Sequence, residues 1–322
     1  MTEQLMADDM NERWDVVVVG GGAAGLSAAL ILARARRRVL VLDGGAPRNR
    51  FAPHLHGVLS RNGYSPLELL AEGRREVRES DGVIRTADVT TARHTADGFE
   101  LETGDAQVVR TGRLIVATGI RDDLPPIEGL AEQWGRGVVA CPYCDGYEAR
   151  GSTIGVLAGS PMSLHVAQML RAYSPDLTVF TGLLESVPDE ELVALAARGI
   201  QVDDRPVTRV VSDGETLVGL ELADGTTVPL DVVFASGRMV PLDGLLVQLG
   251  AEQSDTFFGP WTASDPTGLT SVPGVWVAGN TANPGALVPI AMASGVTAGV
   301  SINAELVAED VRTALSEAVL VA

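Results

Sequence analysis

A short apolar run, Trp14-Asp15-Val16-Val17-Val18-Val19, breaks directly into Gly20-Gly21-Gly22-Ala23-Ala24-Gly25, and an apolar stretch without proline then continues to Arg36. This order predicts a buried strand, a glycine turn and a helix over Leu26–Arg36, with a second strand at Val39–Leu42. The spacing Gly20-x-Gly22-x-x-Gly25 suits a pyrophosphate: the first glycine permits the tight turn, the second lets backbone approach the phosphates, and the third packs helix on strand. The phosphates would rest on the helix N-terminus, over Ala23 and Ala24. Asp43, followed by Gly44, closes the second strand, where an acid accepts hydrogen bonds from ribose hydroxyls. A glycine motif by itself is a weak signal, but strand, turn, helix, strand and acid in this order constrain the chain to a dinucleotide-binding fold.

The layout recurs once. Thr153–Leu157 reads as a strand, Ala158–Pro161 as a turn, Met162–Tyr173 as a helix and Leu177–Phe180 as a strand, so the 322-residue chain holds two such units. Small antiparallel ribbons are expected at Val83–Thr95 with Gly98–Thr103 and at Val207–Val211 with Leu217–Leu222. Asp, Pro and Gly gather at Arg121–Leu124 and Pro241–Gly244, which marks the boundaries. The expected architecture is α/β with two Rossmann-like dinucleotide-binding domains, the second inserted into the first: residues 1–121, 122–243 and 244–322.

Charge removes several functions. The chain has 42 acidic residues against 24 basic ones, a net charge of −18, which disfavours nucleic acid and anionic membrane as partners. All the basic residues are arginine, so lysine Schiff-base chemistry is excluded. The N-terminus lacks the pattern of a secretory leader, no apolar run reads as membrane-spanning, and a cytoplasmic location is expected. In a reducing compartment a single pair of cysteines, Cys141 and Cys144, reads as a working redox pair rather than a staple. Zinc would need two further ligands, and His54 with His56 are wrongly spaced for a finger, so no metal is expected.

Leu114-Ile115-Val116-Ala117-Thr118-Gly119, Val275-Trp276-Val277-Ala278-Gly279-Asn280, and Phe234 with Gly237 and Pro241 carry a resemblance to the low-molecular-weight thioredoxin reductase family along nearly the whole chain. The resemblance implies FAD in the first unit, assembled from both ends of the chain, and a homodimer. Ala117, Thr118, Gly119, Gly279 and Asn280 would lie along the cofactor, Arg48 and Asn49 at its adenosine end, and Pro289 and Ile290 where the last helix begins beside the flavin. Asn280 stands where those reductases usually carry Asp. Cys141-Pro142-Tyr143-Cys144-Asp145 occupies the place of the family's redox pair; two sulfurs so spaced close a small ring at little entropic cost and reopen by exchange. By this resemblance Cys144 attacks flavin C4a, Cys141 exchanges with substrate and Asp145 moves the proton, a task favoured when burial raises a carboxyl pKa.

The second unit departs from the reductases. Its turn, Ala158-Gly159-Ser160-Pro161-Met162-Ser163, has lost the first glycine and the final small alanine, and Thr181-Gly182-Leu183-Leu184-Glu185 supplies no arginine for a 2′-phosphate. Without NADPH the electrons run the other way, from a dithiol through the cysteines and FAD to oxygen. Cys-Pro-Tyr-Cys, the Gly-Tyr-Glu after it, the altered turn, and Pro47-Arg48-Asn49-Arg50-Phe51 leading to His56-Gly57 resemble the thioredoxin-reductase-like dithiol oxidases, which close disulfides in small natural products such as holomycin, gliotoxin and romidepsin. The resemblance implies a small dithiol substrate. A disulfide reductase fed by NADPH or ferredoxin is the first alternative, and a flavin-binding sensor or accessory protein without turnover is the second. His56, on a loop beyond the ribose strand, is a candidate proton acceptor, with satisfaction of a backbone carbonyl as the competing reading. His165 is expected to pack structurally, and Phe257, Phe258 and Trp261 to lie in the core.

Overall fold

The computed structural model describes residues 13–321, and the N-terminal segment 1–12, read above as lacking a leader pattern, lies outside them. Two compact units divide the chain. Residues 13–48, 67–121 and 241–321 form the first, and residues 49–66 with 122–240 form the second. Both are Rossmann-like, built around parallel strands.

In the first unit the parallel strands run in the order Val83–Thr86, Val39–Asp43, Arg13–Val19, Val108–Val116, with Val275–Val277 pairing alongside the last. Their runs are continuously apolar because both faces of the sheet are covered: Val16, Val17 and Val18 are buried, as are Leu114, Ile115 and Val116. The other end of Val108–Val116 continues into an antiparallel ribbon, Val89–Thr95 with Gly98–Thr103. Val83–Thr86 joins the parallel sheet instead of the ribbon the sequence suggests, because its residues pair in register with Leu40–Asp43.

The glycine turn feeds the helix Ala23–Arg34, and the last helix, Val288–Val321, lies across it. Small residues allow that approach. A Cβ at Gly295 would collide with the carbonyl oxygen of Ala24, and one at Gly299 would stand 3.1 Å from the carbonyl oxygen of Ala28. By length and composition the segment Val288–Ala318 is long and apolar enough to cross a membrane, which corrects the sequence expectation; a third of its most apolar window is buried. Sparse charge among alanines and valines gives it that character, and its glycine face packs on Ala23–Arg34.

The second unit centres on five parallel strands ordered Gln201–Asp203, Leu177–Phe180, Ile154–Leu157, Val232–Ala235, Val138–Val139. A three-stranded antiparallel sheet, Val207–Asp213, Thr216–Leu222 and Thr227–Pro229, adjoins it. Segment 49–66 belongs with this unit and not, as its sequence position suggests, with the first. The reason is packing: the backbone of Phe51 lies so close to Gly135 that a Cβ there would meet it at 2.7 Å, and His56 approaches Glu148.

Two expectations about the core are corrected. Phe257 and Phe258 are exposed because they form the tip of the hairpin Gln253–Thr256/Gly259–Thr262, stacked edge to face at 5.3 Å. Trp261, on the returning strand, is buried and donates its indole N–H to the Asn280 carbonyl at 3.3 Å. His165 is exposed on the helix Met162–Leu170, whose packed face carries Ser163, Leu164, Ala167 and Leu170 instead.

Candidate active site

Each motif glycine of the first turn has its own steric reason. Gly20 has φ +104° and a Cβ there would strike the Ala117 carbonyl, while a Cβ at Gly25 would strike the Gly20 carbonyl. Gly21, which the motif spacing leaves unspecified, is also required, since a Cβ would lie 2.6 Å from the Asp43 carboxylate. Gly22 differs: nothing stands within 4 Å of its Cβ position, so open space lies over the helix start. Leu26 makes the first intrahelical bond, to Gly22, which leaves the N–H groups of Ala23, Ala24 and Gly25 without helical acceptors. This cradle fits a dinucleotide pyrophosphate. Asp43 is held at the strand end by Arg74, Nη2 to Oδ2 2.9 Å, a partner 31 residues on that the sequence does not announce. Gly44 lies against Asp88, and Arg48 and Asn49 open the short turn Arg48–Phe51, both partly exposed.

The far end of the cofactor track is a set of interlocked backbone groups. The Thr118 hydroxyl donates to the Leu242 carbonyl at 2.6 Å, and the Gly119 N–H donates to the Thr281 hydroxyl at 2.6 Å. Gly279 has φ +69° and its N–H donates to the Ser294 hydroxyl at 2.8 Å. The Thr118 hydroxyl therefore fixes the chain to Leu242. Asn280 turns its amide nitrogen to three carbonyl oxygens, those of Asn283, Pro284 and Ala286, at 3.2, 3.0 and 3.0 Å. Only an amide can do this, since an aspartate would aim a second acceptor at those oxygens. Beyond this loop Leu287, Pro289 and Ile290 are exposed apolar residues around the start of the last helix.

The cysteine pair lies in the second unit, on the single turn Pro142–Asp145. Cys141 takes the extended N-cap conformation, Pro142 supplies the first-turn φ, and the N–H groups of Cys144 and Asp145 both donate to the Cys141 carbonyl at 3.0 Å. Both sulfurs are half-buried thiols. The hydrogen bond from the Cys144 side chain is the largest influence on Cys141 and brings its thiol down to about 7; burial opposes it, and the N–H groups of Cys144 and Tyr143 reinforce it. Asp145 moves the other way. Burial raises its carboxyl to about 6, the nearby His56 pulls it down, and Glu148 pushes it up. Segment 49–66 thus brings His56 to the cysteine turn, where its Nε2 lies 3.6 Å from Glu148 Oε1. The competing reading, a backbone partner, is met by His54 instead, whose Nδ1 lies 3.1 Å from the Gly63 carbonyl. Glu148 enters the sequence reading only as part of the Gly-Tyr-Glu motif; its approach to His56 is visible only in the fold.

The second dinucleotide turn is closed on itself. Pro161 has no N–H, the Ser163 N–H donates to the Ser160 carbonyl at 2.9 Å, and the Leu164 N–H donates to the Pro161 carbonyl at 3.1 Å. Of the N–H groups that would receive a pyrophosphate, the one at 161 is absent and those at 163 and 164 are already donated within the turn. After Leu177–Phe180, the Arg205 backbone lies against Gly182, so an arginine does approach from elsewhere in the chain. Its guanidinium is already committed to Asp203, Nη2 to Oδ2 2.5 Å, and to Asp224, Nη1 to Oδ2 2.8 Å. Two carboxylates beside one guanidinium leave an anionic surface where a 2′-phosphate would need a cationic one.

The sequence profile described as pyridine nucleotide-disulphide oxidoreductase matches residues 14–295. Thioredoxin reductase tcpT of Claviceps purpurea (strain 20.1) is 34% identical over 307 residues, covering 92% of this chain and 95% of that protein. Thioredoxin reductase sirT of Leptosphaeria maculans is 30% identical over 314 residues, covering 92% and 95%. Among solved structures, HlmI superposes with a TM-score of 0.90 at 43% identity, covering 95% of this chain and 96% of HlmI. An oxidoreductase from Agrobacterium tumefaciens gives 0.85 at 35% identity, covering 92% of this chain and 99% of that one.

Proposed function

The chain belongs to the pyridine nucleotide-disulphide oxidoreductase family, as a thioredoxin reductase-like flavoprotein whose cofactor is FAD, and we propose that it oxidises a small dithiol to a disulfide with oxygen as the final electron acceptor. The observation that carries this reading is the self-closed turn at residues 158–163 beside an intact Cys141/Cys144 pair. In the oxidised pair, a substrate thiolate attacks Cys141 Sγ, the Cys141–Cys144 bond breaks, and Cys144 leaves as a thiolate. The second substrate thiol attacks the substrate sulfur now joined to Cys141, and Cys141 leaves with the electron pair. A thiol lowered to about 7 is a good leaving group, which suits Cys141 to that second step. Bound FAD would supply the two-electron acceptor for the reduced pair, with oxygen, reduced to hydrogen peroxide together with the two dithiol protons, as the final acceptor. Asp145, half-protonated near pH 6, gives and takes a proton at the sulfurs. A sensor without turnover needs no such carrier. The substrate class follows the resemblance of the cysteine motif and altered turn to the natural-product dithiol oxidases.

Anaerobic mixing tests the proposal. A small dithiol is expected to bleach the flavin, and NADPH to leave it yellow; in air the same dithiol consumes oxygen. Losing two charge-assisted phosphate contacts, at about 1.5–3 kcal/mol each, weakens NADPH roughly 100-fold or more. Rapid saturable reduction by micromolar NADPH would overturn the oxidase and restore the reductase that the names of the Claviceps and Leptosphaeria relatives suggest.

A further inference from the structure

We propose that the outer face of the last helix, Val288–Val321, is a self-association surface on which a second copy of this chain lays the same helix antiparallel. One face of that helix is already used: Gly295, Ala298, Ile302 and Leu306 are buried against the first unit. On the opposite face Val296, Val300, Ala304, Val307, Val311 and Leu315 are all exposed, the branched ones from 36% at Val296 to 63% at Leu315. At 3.6 residues per turn these six fall within about 100° of one another and run about 28 Å along the helix. A helix packed on one side normally carries its polar residues on the other. Here they stand at the edges instead: Asn303 and Asp310 are held by Arg37, each at 2.9 Å, and Glu305 and Glu309 by Arg113, at 3.4 and 3.2 Å. The outer stripe carries no charged residue.

The occupant follows from the spacing. The six stripe positions are separated by four, four, three, four and four residues, an order that reads the same from either end. A two-fold axis crossing the helix midway therefore sets Val296 on Leu315 of the second copy, Val300 on Val311 and Ala304 on Val307, and each contact recurs in reverse, as an isologous interface requires. At the centre a small side chain meets a larger one, which lets the two helices approach to about 8–10 Å. Charge agrees with this register. It levels Glu305 with Leu306, Glu309 with Ile302, Asp310 with Ser301 and Glu317 with Ser294, whereas a parallel pair would set every acid beside itself in a chain of net charge −18. With the alanines between them, the half-exposed stripes of two copies cover on the order of 1,200 Å², the lower edge of stable specific interfaces. A lipid surface fits less well. A helix lying on a membrane carries Lys or Arg along its polar face, and Val288–Ala318 has four acids and one arginine.

The test uses the full FAD-loaded chain and sedimentation velocity at micromolar concentration. Wild type is expected to sediment as a dimer, and Val300→Arg and Val311→Glu, each at a position about half exposed in the single chain, as monomers that keep their flavin and melting temperature. Mixing the two variants in equal amounts should restore a dimer, because the antiparallel register sets the new arginine on the new glutamate while the other Val300–Val311 contact stays intact. A monomeric wild type, single variants that remain dimers, or a mixture that stays monomeric would overturn the pairing. If either charged variant fails to fold, Val307→Ser decides the matter: it should weaken the dimer about tenfold or more, since each pair loses two central valines, and an unchanged dissociation constant would reject the surface. Flotation with neutral phosphatidylcholine vesicles tests the competing occupant. No binding is expected, and co-flotation of wild type that is lost in Val311→Glu would assign the stripe to lipid and overturn the proposal.

Discussion

Gly295 of the last helix lies against the carbonyl oxygen of Ala24 with no room for a Cβ between the two backbones. The contact ties the helix that follows the glycine turn to the helix whose first residues would border the flavin. Gly295→Ala must therefore push the helices apart. Overpacking of this kind costs about 1–3 kcal/mol, and the variant is expected to melt several degrees lower and to lose FAD on gel filtration. Gly299→Ala, with 3.1 Å available, should have the milder effect, and equal losses would mean that the close approach at Ala24 is not what holds the pair together.

Cys144→Ala should raise the Cys141 thiol from about 7 toward its ordinary range, because the largest stabiliser of its thiolate is the Cys144 side chain. Iodoacetamide alkylation of Cys141 followed against pH reads this directly. The midpoint is expected to move to higher pH in Cys144→Ala; an unchanged midpoint would assign the lowered value to the backbone N–H groups instead.

Asp145→Asn should stabilise the protein and slow it at the same time. The folded carboxyl, raised to about 6, lies above its ordinary value of 3.8, so between those limits the native state holds more protons than the unfolded one and stability falls as pH rises. The amide removes that dependence. Thermal unfolding should favour Asp145→Asn at pH 8, with the gap closing toward pH 4, while flavin bleaching by a dithiol slows. A gap of the same size at both pH values would contradict a burial penalty on the charged form.

Asn280→Asp, the substitution toward the acid usual in the reductases, is expected to harm this chain. A carboxylate would face the carbonyl oxygens of Asn283, Pro284 and Ala286 that the amide now satisfies. The cost is about 1 kcal/mol, the low end of the range for stranded acceptors because these are only partly buried, and it should appear as faster release of FAD on dilution. Retention of FAD as in wild type would show that the loop holds by other means.

Local order carried most of the fold. The glycine spacing, the apolar runs between them and Asp43 are contiguous features whose geometry depends on near neighbours, and they read correctly as two Rossmann-like units. What escaped depended on distant partners. Gly21 is required because Asp43 folds over it, Arg74 reaches Asp43 from the next helix, and Ser294 and Thr281 clamp backbone groups far away in the chain. Phe257 and Phe258 looked like core residues because alternation does not reveal where a hairpin turns. Arg205 illustrates the same limit: the sequence after Phe180 lacks an arginine, yet the fold brings one there and cancels it with Asp203 and Asp224.

Segment 49–66 precedes the inserted domain by more than fifty residues yet packs as part of it, against Gly135 and Glu148. The portable module is therefore not the contiguous insertion. A chimera that transplants residues 122–240 onto a related scaffold would receive the cysteines and Asp145 but inherit a foreign loop in place of the one that sets His56 against Glu148. Recombination that respects this fold needs two crossovers more than the sequence order suggests.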